Sequence, residues 1–218
     1  MVFLSRPLPV LLLLWLFWSA FSLVPQVQAE LIINEILGDP NQDWDGDGTV
    51  SFRGDEWIEV LNNGAATEDL SDYWLRDVHG DDLHLQLSGT LEPGAVTVFY
   101  GSDAVAWQEG QGVFVSGFSI NNTGDTLELL RTIPDQASTA LVMIHRVTLN
   151  NHEVEDDRSS GWDPETELWT MFDAWNPYNG GFEPQGTGCL PTPGEANICE
   201  PLVPVETTSW DLLKSQYR

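Results

Sequence analysis

Leu83-His-Leu-Gln-Leu87 alternates apolar and polar residues one for one, the period of a strand with a single buried face. Similar short bursts lie on either side of it. Leu31-Ile-Ile-Asn-Glu-Ile-Leu37, Glu56-Trp-Ile-Glu-Val-Leu61 and Tyr73-Trp-Leu75 precede it. Ala95-Val-Thr-Val-Phe-Tyr100, Thr126-Leu-Glu-Leu-Leu130 and Ala140-Leu-Val-Met-Ile144 follow. Gly, Asn, Asp and Pro separate the bursts, and Asn122-Thr-Gly-Asp125 supplies the turn before one of them. No long stretch keeps a helical period of 3.6, and no crossover helices come between the bursts. Many short strands with turn chemistry between them predict an all-β antiparallel sandwich or barrel.

The chain has 218 residues, with 8 basic and 34 acidic side chains and a formal charge of −26. Such a balance repels phosphate backbones, which excludes sequence-independent binding of nucleic acid and disfavours anionic membrane surfaces. A hydrophobic content of 42%, with ten Trp and nine Phe, is too rich for a disordered acidic chain. Residues 1–29 read as a signal peptide. Arg6 is their one charge, Pro9 to Val24 is almost wholly apolar, and Val27-Gln-Ala29 fits a small-residue cleavage site. An uncleaved anchor is the alternative, since the apolar run is close to the minimum for a span. Cleavage after Ala29 leaves a mature chain with no membrane span, secreted or held at the cell surface.

In that oxidising setting Cys189 and Cys199 are expected to pair as a disulfide. Closing a loop of about 11 residues would restrict the unfolded chain by roughly 2–3 kcal/mol. Beyond His152 the pattern loosens into an expected irregular extension pinned by this bridge. Its residues Trp162, Trp169 and Trp175 either pack on the sandwich or form a platform on which sugar rings stack. The expected organisation is a leader at 1–29, a sandwich with its extension at 30–199, and a linker and short tail at 200–218. In the tail, Ser209 to Arg218 reads as one short helix with Thr208 and Asp211 at capping-box spacing.

Six motifs, in order, resemble the lamin-tail domain (intermediate-filament tail domain) in its secreted bacterial form. They are Ile32-Ile-Asn-Glu-Ile36; Glu56-Trp-Ile-Glu-Val-Leu-Asn62; Asp69-Leu-Ser-Asp-Tyr-Trp-Leu-Arg-Asp77; Leu91-Glu-Pro-Gly-Ala95; Asn122-Thr-Gly-Asp-Thr-Leu-Glu-Leu129; and Arg158 ahead of Trp169, closing with Thr192-Pro-Gly-Glu-Ala-Asn197. The resemblance covers about residues 30–197. It implies an immunoglobulin-like antiparallel β-sandwich, with an irregular C-terminal extension, and a binding or scaffolding role. The chain departs from nuclear lamins in lacking a sustained heptad, and its acidity opposes contact with chromatin.

No metalloprotease helix motif, nucleophile elbow, phosphate loop or dinucleotide fingerprint is present. His79-Gly-Asp-Asp-Leu-His84 is the one compact cluster of His and carboxylates, and it reads as a polar hairpin lacking a third metal ligand. The segment that stands out is Asp39-Pro-Asn-Gln-Asp-Trp-Asp-Gly-Asp-Gly48. Asp39, Asn41, Asp43, Asp45 and Asp47 place oxygen side chains at alternate positions, a donor set suited to the hard, flexible coordination of Ca²⁺. From Asp43 onward the loop resembles an EF-hand loop, with Gly48 at its sixth place. It departs at the twelfth, which is Gly54; Asp55 and Glu56 come one and two residues late. The expectation is a non-enzymatic binding or structural module stabilised by Ca²⁺, whose partner is an extracellular or cell-envelope protein or glycan. The alternative is a metal-dependent extracellular hydrolase acting on carbohydrate or phosphoester.

Overall fold

The computed structural model describes residues 31–79, 82–134, 139–154, 157–173 and 188–198. The expected leader, the C-terminal tail and the short helix expected in that tail lie outside them. Strands β1 (Leu31–Leu37), β2 (Trp57–Asn62), β7 (Val96–Tyr100), β10 (Ser159–Asp163) and β11 (Leu168–Phe172) form one sheet in the order β11-β10-β1-β2-β7. The second sheet runs β5 (Asp82–Gln86), β4 (Tyr73–Asp77), β8 (Gly124–Pro134) and β9 (Thr139–Asn150). A small pair joins β3 (Glu68–Asp69) to β6 (Thr90–Leu91). Every pairing is antiparallel, and each predicted burst supplies a strand. The protein is an immunoglobulin-like β-sandwich.

The core lies between the two sheets. Ile33, Ile36, Ile58, Val60 and Phe99 from the first sheet join one buried cluster with Tyr73, Leu75, Leu127, Leu129 and Leu149 from the second. β1 and β2 are also buried on their other face. Glu35, Leu37, Trp57 and Glu59 are all fully buried, although their neighbours Ile36, Ile58 and Val60 already fill the core. A register shift between Ile33 and Glu35 admits Asn34 as an extra residue in β1. The loop after β1 and the segment at 188–198 cover this second face. Trp57 is therefore fully buried, although Ile58 beside it faces the core. Trp74, on β4, is only half-buried; its ring meets that of Trp107 edge-on with centroids 5.9 Å apart.

A helix and a pair of strands were not expected. Helix α1 (Gly101–Gln111) begins where the backbone N–H of Tyr100 donates to the Asp103 carboxylate, and it ends at Gly112 in the left-handed conformation (φ 68°). Gly101 is required by close approach, since a Cβ there would lie 2.0 Å from the carbonyl oxygen of Arg53. The helix packs on the outer side of β5, so His84, expected on a solvated face, is buried against the carbonyl of Gly117 at 2.7 Å. Strands β10 and β11 are the second surprise. The extension is irregular only in part, because β10 pairs with β1 and extends the first sheet.

Candidate functional site

The loop between β1 and β2 is organised around Asp55, which is fully buried. One oxygen of its carboxylate accepts the backbone N–H of Trp44 at 2.6 Å and of Asp45 at 3.1 Å, and the other accepts Ser51 N–H at 2.6 Å. Three donors fix its orientation. Ahead of it the backbone coils round its own side chains. Asp43 accepts from Gly48 N–H at 2.9 Å, Asp45 from Asp47 N–H at 3.0 Å, and Asp47 from Thr49 N–H at 2.7 Å. Gly46 and Gly48 hold φ of 76° and 90°, which their lack of a Cβ permits. Asp43, Asp45 and Asp55 each bring a carboxylate oxygen within 4.8 Å of the other two.

The structure thus gathers Asp43 and Asp45 of the five predicted ligands and adds Asp55, a residue that the EF-hand spacing puts one place late. Asp47 lies exposed beside this group. Asp39 and Asn41 sit nearer the start of the loop, where Asp157 holds them. Asp157 N–H donates to the Asp39 carbonyl at 2.9 Å, and its carboxylate accepts Asn41 N–H at 2.8 Å and the Trp44 indole N–H at 3.0 Å. Asp157 is more than a hundred residues away along the chain, and nothing in the local sequence points to it. Trp44 then covers Trp57, their ring centroids 6.0 Å apart. The loop closes as a lid of hydrogen bonds over the second face of β2.

The donor set is wholly oxygen, from carboxylates of graded exposure, which fits a hard cation better than a transition metal. A second mixed group contains Asp77, His79 and Asp125, with His79 Nδ1 2.9 Å from Asp125. It parts the two histidines of the sequence cluster, since His84 lies beneath α1. His145 Nδ1 accepts the backbone N–H of Ile33 at 3.1 Å, and burial lowers its pKa.

The segment at 188–198 builds a different polar centre on the same sheet. Glu35 and Glu59, directly paired across β1 and β2, are both fully buried. Glu35 accepts from the Ser159 hydroxyl and from Thr192, whose hydroxyl lies 2.6 Å away. Glu59 accepts Gly194 N–H at 2.7 Å and the Asn34 amide at 2.6 Å. Burial raises both carboxyls from 4.5 to about 7, and these hydrogen bonds only partly oppose it. Asn197 completes the network by accepting from Asn34 at 3.0 Å and donating back to its carbonyl at 3.0 Å. Cys189 is buried at the start of this segment; Cys199 lies outside the described residues. Trp162 and Trp169 are cross-strand partners in β10 and β11, and Trp169 packs against the core. Trp175 also lies outside the described residues.

No curated protein and no solved structure matches the chain. The family model for the Lamin Tail Domain matches residues 25–159, from before β1 to the first residue of β10. The protein belongs to the lamin tail domain family.

Proposed function

We propose that the protein is an exported, calcium-stabilised binding or structural module of the cell surface or its surroundings, without catalytic activity of its own. Family membership supports the module. The observation that carries the calcium reading is the convergence of Asp43 and Asp45 on Asp55, whose buried carboxylate is already oriented by three backbone donors. Three carboxylates at this range repel one another strongly, and a divalent cation removes that repulsion while adding bonds. The expected partner is an extracellular or cell-envelope protein or glycan rather than nucleic acid. Among the described residues no helix is long and apolar enough to cross a membrane.

Thermal melting in EDTA, Ca²⁺ and Mg²⁺ tests the metal. Ca²⁺ at about 100 times its dissociation constant adds about 2.7 kcal/mol to the folded state. Mg²⁺ substitutes poorly, because it retains its waters and demands octahedral geometry. The double variant Asp43→Ala/Asp45→Ala loses the Ca²⁺ response. Equal stabilisation of variant and wild type places the ion elsewhere, and no response at millimolar Ca²⁺ leaves an acidic turn held by hydrogen bonds alone.

A further inference from the structure

A cavity of about 510 Å³ opens between the segment at 188–198, the β1–β2 pair and the turn before β7. Its apolar wall includes Ile32, Leu61 and Val96, and Trp162 with Pro164 closes one side. Among the described residues, the polar lining is neutral amide and acid, Asn34, Asn63, Asn197 and Glu195, without a Lys, Arg or His. Two of these amides are built into the protein. Asn34 and Asn197 are 3% and 2% exposed, and the Glu35–Glu59 network described above clamps them. Both hydrogens of the Asn34 amide are taken, by Glu59 and by Asn197. Its backbone carbonyl accepts from Asn197, and its side-chain oxygen, Oδ1, accepts from no described residue. A nine-tenths-buried side chain thus presents one fixed acceptor in a cavity that it lines.

We propose that this cavity is a binding site for a neutral saccharide. An aromatic side chain takes the apolar face of a pyranose ring, and pre-positioned amides and a carboxylate take its hydroxyls. A charged ligand is disfavoured. Among the described residues an anion finds no cation on the walls and meets a chain of net charge −26, while a cation finds one rim carboxylate, Glu195. The volume is in the range of small-molecule sites and accommodates a disaccharide. The orienting hydrogen bonds to Asn34 and Asn197 exist before the ligand arrives, so little ordering is required on binding. The site shares no residue with the acidic loop. It rests on the reading of the protein as a binding module and is independent of the calcium site.

Backbone-amide NMR titration of the full exported chain with N,N′-diacetylchitobiose, cellobiose, maltose and lactose tests this, with and without Ca²⁺. At least one sugar should shift the amides at 32–34, 61–63, 94–96, 162–164 and 194–197 together. Trp162→Ala should weaken that sugar about tenfold or more, and Trp162→Phe much less. Should Trp162→Ala fail to fold, the exposed-rim variants Asn63→Ala and Glu195→Ala carry the same test, each with an expected several-fold loss. The proposal is overturned if none of the four sugars shifts these residues at about 20 mM, a range in which even very weak sites respond. It is equally overturned if cyclohexanol shifts them and the sugars do not, which makes the cavity merely apolar. A calcium-dependent melt alongside absent sugar binding leaves the module reading standing and removes this one alone.

Discussion

Replacing Glu35 or Glu59 by Gln should flatten the pH dependence of folding between pH 5 and pH 8. Each carboxyl sits at about 7 in the folded protein against 4.5 ordinarily, chiefly because burial penalises its charge. An acid whose folded pKa is raised stabilises the fold fully below 4.5, and that contribution is lost as pH rises through 7. Linkage converts the shift into about 2–3 kcal/mol between pH 5 and pH 8 for one such group. The pair yields less than twice this, since the charge of Glu35 is itself one of the reasons that Glu59 is raised. Glu56, raised well above its ordinary value by burial, gives the wild type a background slope of the same sign. The informative quantity is therefore the difference between wild type and variant. Gln keeps one acceptor for Thr192 or Gly194 and cannot ionise. Urea denaturation at fixed Ca²⁺ across this range should find wild type more stable at pH 5 than at pH 8, with a smaller difference in each variant. Identical slopes in wild type and both variants would refute the account, showing that water reaches these carboxylates.

The remaining expectations are shorter. The exported protein should begin at Glu30 and have an intact mass two hydrogens below the reduced value, from pairing of Cys189 with Cys199; thiol labelling of both cysteines in the native protein refutes the bridge. Trp74→Ala should cost about 1–2 kcal/mol in denaturation, below the range of about 3–5 for a fully buried aromatic, because this ring is only partly buried. A loss in the upper range would show that Trp107 and α1 depend on it.

The short apolar bursts between turn residues made the sandwich legible, and Leu83 to Leu87 carries the clear one-for-one alternation. Burial on the second face was not legible in the same way. Nothing local to Glu35 and Glu59 tells a buried carboxyl from a solvated one, and what covers them comes from positions 192–197, far along the chain. Helix α1 hid behind a different deficiency. Ala104-Val-Ala-Trp107 does not confine its apolar residues to one stripe, and only Asp103 and Gly112 signal its ends. Strand β10, Ser-Ser-Gly-Trp-Asp, has little intrinsic strand preference; its pairing with β1 overrides propensity. In the acidic loop, local spacing was enough to find Asp43 and Asp45. Asp55 broke the expected count by one, and Asp157 is visible only in three dimensions.

The family match stops at Ser159, but the physical unit does not. Ser159 begins β10, and its hydroxyl is one of the donors to buried Glu35. Immediately before it, fully buried Arg158 donates to the His152 carbonyl and to Asp173, 3.0 Å away and beyond β11. Ending the chain after Ser159 removes Asp173, leaves the Arg158 charge buried without that counter-ion, and strips Thr192 and Gly194 from two buried carboxylates. Breaking a buried ion pair alone costs about 3–5 kcal/mol, a large part of the stability of an ordinary domain. The same cut exposes the edge of β1, whose residues are mostly apolar and suited to pairing with another chain. A chain ended after Ser159 should therefore melt well below the full mature chain or aggregate on export, as read by calorimetry and size-exclusion chromatography. Should it remain monomeric with an unchanged melting temperature, the segment from β10 to Ile198 is an accessory, and the buried acids must be satisfied by water in its absence.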